Sequence, residues 1–74
     1  MLKCKSIITK DHFGIYYHNY KGQLHRDKDL PAIEYTNGDR YWYKNNKLHR
    51  DILPAVDLGD GYYKEYWTNG VRIR

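Results

Sequence analysis

Seventy-four residues with one cysteine, Cys4, and a formal charge of +4 describe a single small domain with a thin apolar core and no intramolecular disulfide. No stretch approaches the ~20 apolar residues of a membrane span, and Met1–Lys10 lacks an apolar run of signal-peptide length, so the sequence is read as soluble and cytoplasmic. Nine Asp and Glu are interspersed among thirteen Lys and Arg, which excludes a segregated basic tail.

In chain order, residues 1–13 read as an opening edge strand around Lys5-Ser6-Ile7-Ile8-Thr9, which has no counterpart further along. From residue 14 the chain repeats itself. Leu24-His25-Arg26-Asp27 recurs 24 residues later as Leu48-His49-Arg50-Asp51. Each copy runs on to Pro-Ala and a branched aliphatic, Pro31-Ala32-Ile33-Glu34 and Pro54-Ala55-Val56-Asp57. Upstream, Tyr16-Tyr17-His18-Asn19-Tyr20-Lys21-Gly22 aligns with Arg40-Tyr41-Trp42-Tyr43-Lys44-Asn45-Asn46 and with Lys64-Glu65-Tyr66-Trp67-Thr68-Asn69-Gly70. The spacing predicts units at 14–37, 38–61 and a truncated 62–74. Val71-Arg72-Ile73-Arg74 replaces the Leu-His-Arg sequence, as a terminal unit would.

Asn37-Gly38, Asp60-Gly61 and Asn69-Gly70 supply the positive φ angles of tight hairpin turns, with Lys21-Gly22 and Asn45-Asn46 at equivalent positions. Ile33 and Tyr35 alternate with Ala32 and Glu34, and Val56 and Leu58 with Ala55 and Asp57. This period of two predicts a buried face holding Ile33, Tyr35, Val56 and Leu58. Pro31 and Pro54 sit at strand entrances, where a missing amide hydrogen does least harm. The expected fold is all-β: an antiparallel meander of about eight or nine short strands in a single twisted or rolled sheet.

His25-Arg26-Asp27 and His49-Arg50-Asp51 spell the kinase catalytic tripeptide, but the chain is too short for a kinase and lacks its other motifs. His12, His18, His25 and His49 lack the short spacings of a zinc site. No carboxylate pair, activated nucleophile or phosphate-cradling loop is visible, so no enzyme, metal or cofactor is expected. The repeated Leu24, His25, Arg26, Leu48, His49 and Arg50 are read as the joint between units, each Arg pairing with an acid such as Asp27, Asp51 or Glu34.

Nine tyrosines and two tryptophans exceed what a thin core hides, so several rings are expected at a binding surface. Tyr17, His18, Arg40, Trp42, Tyr43, Tyr66 and Trp67 are the partner-binding candidates. The preferred partner is a protein. Single-stranded nucleic acid is the alternative, with bases stacked on rings and Lys21, Arg40, Lys44, Lys47 and Lys64 along the phosphates. An open edge strand would also allow a homodimer by sheet extension.

Tandem units of aromatic strand, Asn-Gly-type turn, Leu-His-Arg and Pro-Ala-aliphatic resemble the MORN-like β-hairpin repeats over about residues 14–74. The Leu-His-Arg and Pro-Ala version looks like repeats of phage and large DNA virus proteins. The resemblance implies a chain of hairpins that contacts proteins or membranes, with no catalytic residues. With the small size, it suggests a phage inhibitor of a host defence protein, for example an anti-CRISPR protein in the host cytoplasm.

Overall fold

The computed structural model describes residues 7–74. Cys4 and the start of the expected opening strand lie outside the described residues. The chain forms β1 (Ile7–Lys10), β2 (Gly14–His18), β3 (Ile33–Tyr35), β4 (Arg40–Tyr41), β5 (Tyr43–Lys44), β6 (Lys47–Leu48), β7 (Val56–Asp57), β8 (Lys64–Glu65), β9 (Trp67–Thr68) and β10 (Val71–Arg72). Every pairing is antiparallel and no helix occurs among the described residues, so the protein is all-β.

The strands do not form one continuous meander. Six make an open sheet in the order β1-β2-β3-β4-β7-β8, while β5–β6 and β9–β10 are separate two-stranded hairpins. The cause is a parting of the main chain at three aromatic residues. Tyr17 and Trp42 donate their N–H groups to Ala32 and Ala55, but their carbonyls accept from His25 and His49 at 3.0 Å. Tyr66 likewise accepts from Ile73 at 2.6 Å. One side of Tyr17 and of Trp42 thus belongs to the sheet and the other to a local hairpin, while Tyr66 gives both sides to the last hairpin, donating to Arg74 at 2.9 Å.

Turn chemistry follows the residues that tolerate left-handed backbone. Asn45 and Asn46 have φ of 50° and 68°, and Asn69 and Gly70 have 48° and 81°, the two-residue geometry that matches strand twist. Gly14 is required for a different reason. A Cβ there would lie 2.5 Å from the Glu34 carbonyl of the neighbouring strand.

The register sorts the sheet into cross-strand rows. Tyr16, Ile33, Tyr41, Val56 and Glu65 lie opposite one another in sequence across five strands. Tyr35 packs edge-to-face on Tyr16 and Tyr41 at 6.0 and 5.7 Å between centroids. The adjoining row, Glu34, Arg40, Asp57 and Lys64, alternates in sign, and Asp57 takes Lys64 at 2.9 Å and Arg40 at 3.8 Å. Opposite charges facing across strands favour this register over a slipped one.

The buried apolar side chains among the described residues are Ala32, Ile33, Trp42, Ala55 and Val56. Burial departs from the sequence expectation at two pairs of residues. Tyr35 and Leu58 are half-buried rather than core, and Ala32 and Ala55, expected on the open face, are wholly enclosed. The reason is that both faces of this 42 × 28 × 16 Å body are covered, one by tyrosines and the other by arginines.

Candidate interaction surface

The covered alanine face is built from alternating large and small residues. Tyr17, Ala32, Trp42, Ala55 and Tyr66 occupy successive strands or strand ends, so each alanine leaves room beside a ring. A guanidinium lies on each ring: Arg26 over Tyr17 at 3.7 Å, Arg50 over Trp42 at 3.8 Å and Arg74 over Tyr66 at 4.3 Å. Such stacks contribute on the order of 0.5–2 kcal/mol each, least where the arginine is exposed, as Arg74 is. Arg26 and Arg50 also donate through Nη1 to the Pro31 and Pro54 carbonyls, both at 3.2 Å, closing the loop between Arg and Pro-Ala.

Beside each of the first two arginines stands a histidine in a defined tautomer. Nδ1 of His25 accepts the Asn45 N–H at 3.2 Å, and Nδ1 of His49 accepts the Asn69 N–H at 2.9 Å. The proton therefore sits on Nε2, which donates to Asp27 and Asp51, each at 2.8 Å. Each histidine ties its own loop to the turn of the following hairpin. Leu24 and Leu48 add backbone bonds to the same turns, accepting from Asn46 at 2.9 Å and Gly70 at 2.8 Å.

The loop after Arg26 reaches further. The Asp29 carboxylate grips Arg50 in a fork, with Nε at 2.8 Å and Nη2 at 3.2 Å, and its carbonyl accepts the Trp42 indole N–H at 3.0 Å. The guanidinium holds the Asp29 carboxyl below its ordinary pKa. Between this loop and the one after Arg50 runs a groove of about 550 Å³, with Trp42 and Arg50 in its lining and Lys28, Lys44, Ile52 and Leu53 among its other walls. Its Asp27 and Asp51 are held by histidines and Asp29 by Arg50.

The sequence-selected residues thus separate. Leu24, His25, Arg26, Leu48, His49 and Arg50 meet the neighbouring hairpins or their own loop, and the acids they engage are Asp27, Asp51, Glu34 and the unforeseen Asp29. Tyr17 and Tyr66 are half-buried beneath arginines, whereas Trp42, expected at the surface, is 7% exposed and shut in by Arg50 and Asp29. His18 sets Nδ1 at 3.3 Å from the Ile7 carbonyl, and Arg40 joins the charge row through Asp57. Tyr43 and Trp67 belong to the separate hairpins. Burial pushes the Tyr43 phenol up, and the Trp67 indole donates to Glu65 at 2.8 Å.

The register also moves one alignment. The turn after His18 is one residue longer than the turn after Tyr43, which places Tyr17 rather than His18 at the position of Trp42. Arg74 was missed as the third stacked arginine, although its spacing from Arg26 and Arg50 is a regular 24 residues. No group of three His, Cys, Asp or Glu side chains among the described residues is placed to hold a metal ion. No described helix is long and apolar enough to cross a membrane. Comparison with family models, curated proteins and solved structures finds no match to the chain.

Proposed function

We propose that the chain is a non-enzymatic protein-binding module made of three hairpin units of about 24 residues. The observation that carries this reading is the balance of apolar surface. Ile52, Tyr62 and Phe13 are 84, 89 and 68% exposed, and Tyr20, Leu53, Val71 and Ile73 are also exposed, against a core of five side chains. Exposed apolar side chains that outnumber the core among the described residues support a surface that another protein covers.

The charge arrangement supports a protein over a nucleic acid. Four of the cations beside the ring row, Arg26, Arg50, Arg40 and Lys64, face Glu34, Asp29 and Asp57, while Arg74 lies on Tyr66. Phosphates would have to displace those carboxylates, whereas mixed charges flanking apolar side chains suit a protein partner. The resemblance to phage and large-virus repeats extends the proposal to an inhibitor that blocks a host defence protein, such as a CRISPR component, by covering its surface.

A tagged pull-down from host lysate, with and without nuclease and at low and high salt, tests the reading. Capture of one near-stoichiometric protein that survives both treatments, and is lost with Ile52→Ser and Tyr62→Ala at an unchanged melting temperature, is the expected result. Recovery of nucleic acid alone, released by salt, would overturn it in favour of single-strand binding.

A further inference from the structure

The six-stranded sheet has two outer strands, and they are treated differently. Next to β8, Tyr66 has both backbone groups engaged, donating to Arg74 at 2.9 Å and accepting from Ile73 at 2.6 Å. The β8 side chains are paired as well, Lys64 with Asp57 and Glu65 with Arg72. Beyond β8 the chain runs on into its own last hairpin. In contrast, β1 is exposed along all four residues, Ile7 and Ile8 are 46 and 53% exposed, and no described segment lies on its outer side. It carries no proline, and Lys10 is its sole charge, so it lacks most of the devices that guard a sheet edge.

We infer that β1 pairs with β1 of a second copy, antiparallel and about a two-fold axis at Thr9, joining two six-stranded sheets into one. This inference is independent of the proposed function.

The register follows from which backbone groups point outward. Asp11 donates to the Gly14 carbonyl at 3.1 Å, while Tyr17 turns its N–H away from β1 to Ala32. With Lys10 opposite Ile15, Thr9 opposite Tyr16, Ile8 opposite Tyr17 and Ile7 opposite His18, the alternation of an antiparallel ladder commits Thr9 and Ile7 to β2. The N–H and C=O groups of Ile8 and Lys10 face outward. An axis at Thr9 sets Ile8 against Lys10 of the second copy, and Lys10 against Ile8, so all of these groups are satisfied. An axis at Lys10 would oppose two ammonium groups, whereas the axis at Thr9 sets each Lys10 against an isoleucine. At the axis, Thr9 meets Thr9 as a non-hydrogen-bonded pair with Cα atoms ~4.5 Å apart, a spacing at which threonine side chains interact favourably. The alkyl stem of Lys10 lies along Ile8 of the second copy, with its ammonium in water.

The test begins with light scattering on a concentration series, where the mass is expected to rise from 9.0 kDa to twice that value. Ile8→Pro removes an outward N–H and leaves the bonds to β2 intact, so a monomer with an unchanged circular dichroism spectrum is expected. In a Cys4→Ser background, Thr9→Cys should cross-link into a covalent dimer on mild oxidation, because its Cα spacing fits a disulfide. Ile8→Cys should not, since the two Ile8 Cα atoms would stand roughly 9 Å apart. A mass of 9.0 kDa up to millimolar protein, or a folded Ile8→Pro variant that still dimerises, overturns the edge pairing. Cross-linking through position 8 in place of position 9 overturns it as stated. The cysteine pair reads the outcome even if the proline variant fails to fold.

Discussion

The loop after Asp27 and the loop after Asp51 begin with the same histidine-aspartate pair and end at the same buried proline, yet they do opposite things. The first has Lys28, Asp29 and Leu30 before its proline; the second has only Ile52 and Leu53. With the extra residue, Lys28 and Asp29 turn through left-handed φ angles of 64° and 58°, and Asp29 reaches Arg50 and Trp42 in the next segment. Left-handed backbone costs about 1–2 kcal/mol per residue outside glycine, and the fork on Arg50 with the indole bond offsets it. The shorter loop has no positive φ and leaves Ile52 84% exposed. One inserted residue separates a loop that ties the sheet together from one that presents apolar surface.

Arg50→Ala should break the tied side of this comparison most severely. It removes the stack on Trp42, the fork to Asp29 and the bond to Pro54, a loss of about 2–4 kcal/mol, or on the order of 10–20 °C in melting temperature. Arg26→Ala should cost less, because its acid, Glu34, stands at 3.5 Å without a fork. Equal losses in the two thermal melts would mean that the clasp adds nothing.

Asp29→Asn comes next, with an expected loss of about 0.5–1 kcal/mol once solvent screening of this exposed carboxylate is allowed for. Arg50 holds the folded-state pKa of Asp29 below its unfolded value. The charged form therefore stabilises the fold above roughly pH 4, and that contribution is lost as pH falls through the lower folded value. Melting curves of the native chain and Asp29→Asn should converge in acid. A gap that stays constant down to pH 2 would detach the pair from stability. An effect of similar size and opposite sign is a gain: Lys28→Gly relieves a left-handed residue and should stabilise by about 0.5–1 kcal/mol, whereas Ile52→Gly, at ordinary φ, should give no gain by the same measurement.

The all-β architecture and the hairpin turns were legible because they rest on local rules. Asn45-Asn46 and Asn69-Gly70 announce left-handed backbone in the sequence and adopt it. The enclosure of Ala32, Ala55 and Trp42 was not, because a period of two says that two faces exist without saying what covers each. Here the cover is arginine, a residue read as the joint between units and not as a lid on the rings, delivered from loops that return over the sheet. A signal for it was present. Arg26, Arg50 and Arg74 fall at a constant step, each preceded by an aromatic nine, eight and eight residues earlier, Tyr17, Trp42 and Tyr66. Asp29 had no such signal, since its role arises from an insertion found in one loop alone.

A body 16 Å deep and 42 Å long has no centre from which it must melt all at once. Its strands should peel from an end, and amide hydrogen exchange should show it. Protection is expected to be greatest at the Ala32, Trp42 and Ala55 amides, whose bonds lie inside the sheet, and least across the exposed residues Val71–Arg74. Each arginine laid over its ring then acts as a latch along the ribbon. Lifting Arg74 from Tyr66 loosens the C-terminal end first, with His49 and Leu48 still gripping the Asn69-Gly70 turn and Arg50 and Arg26 holding the strands behind it.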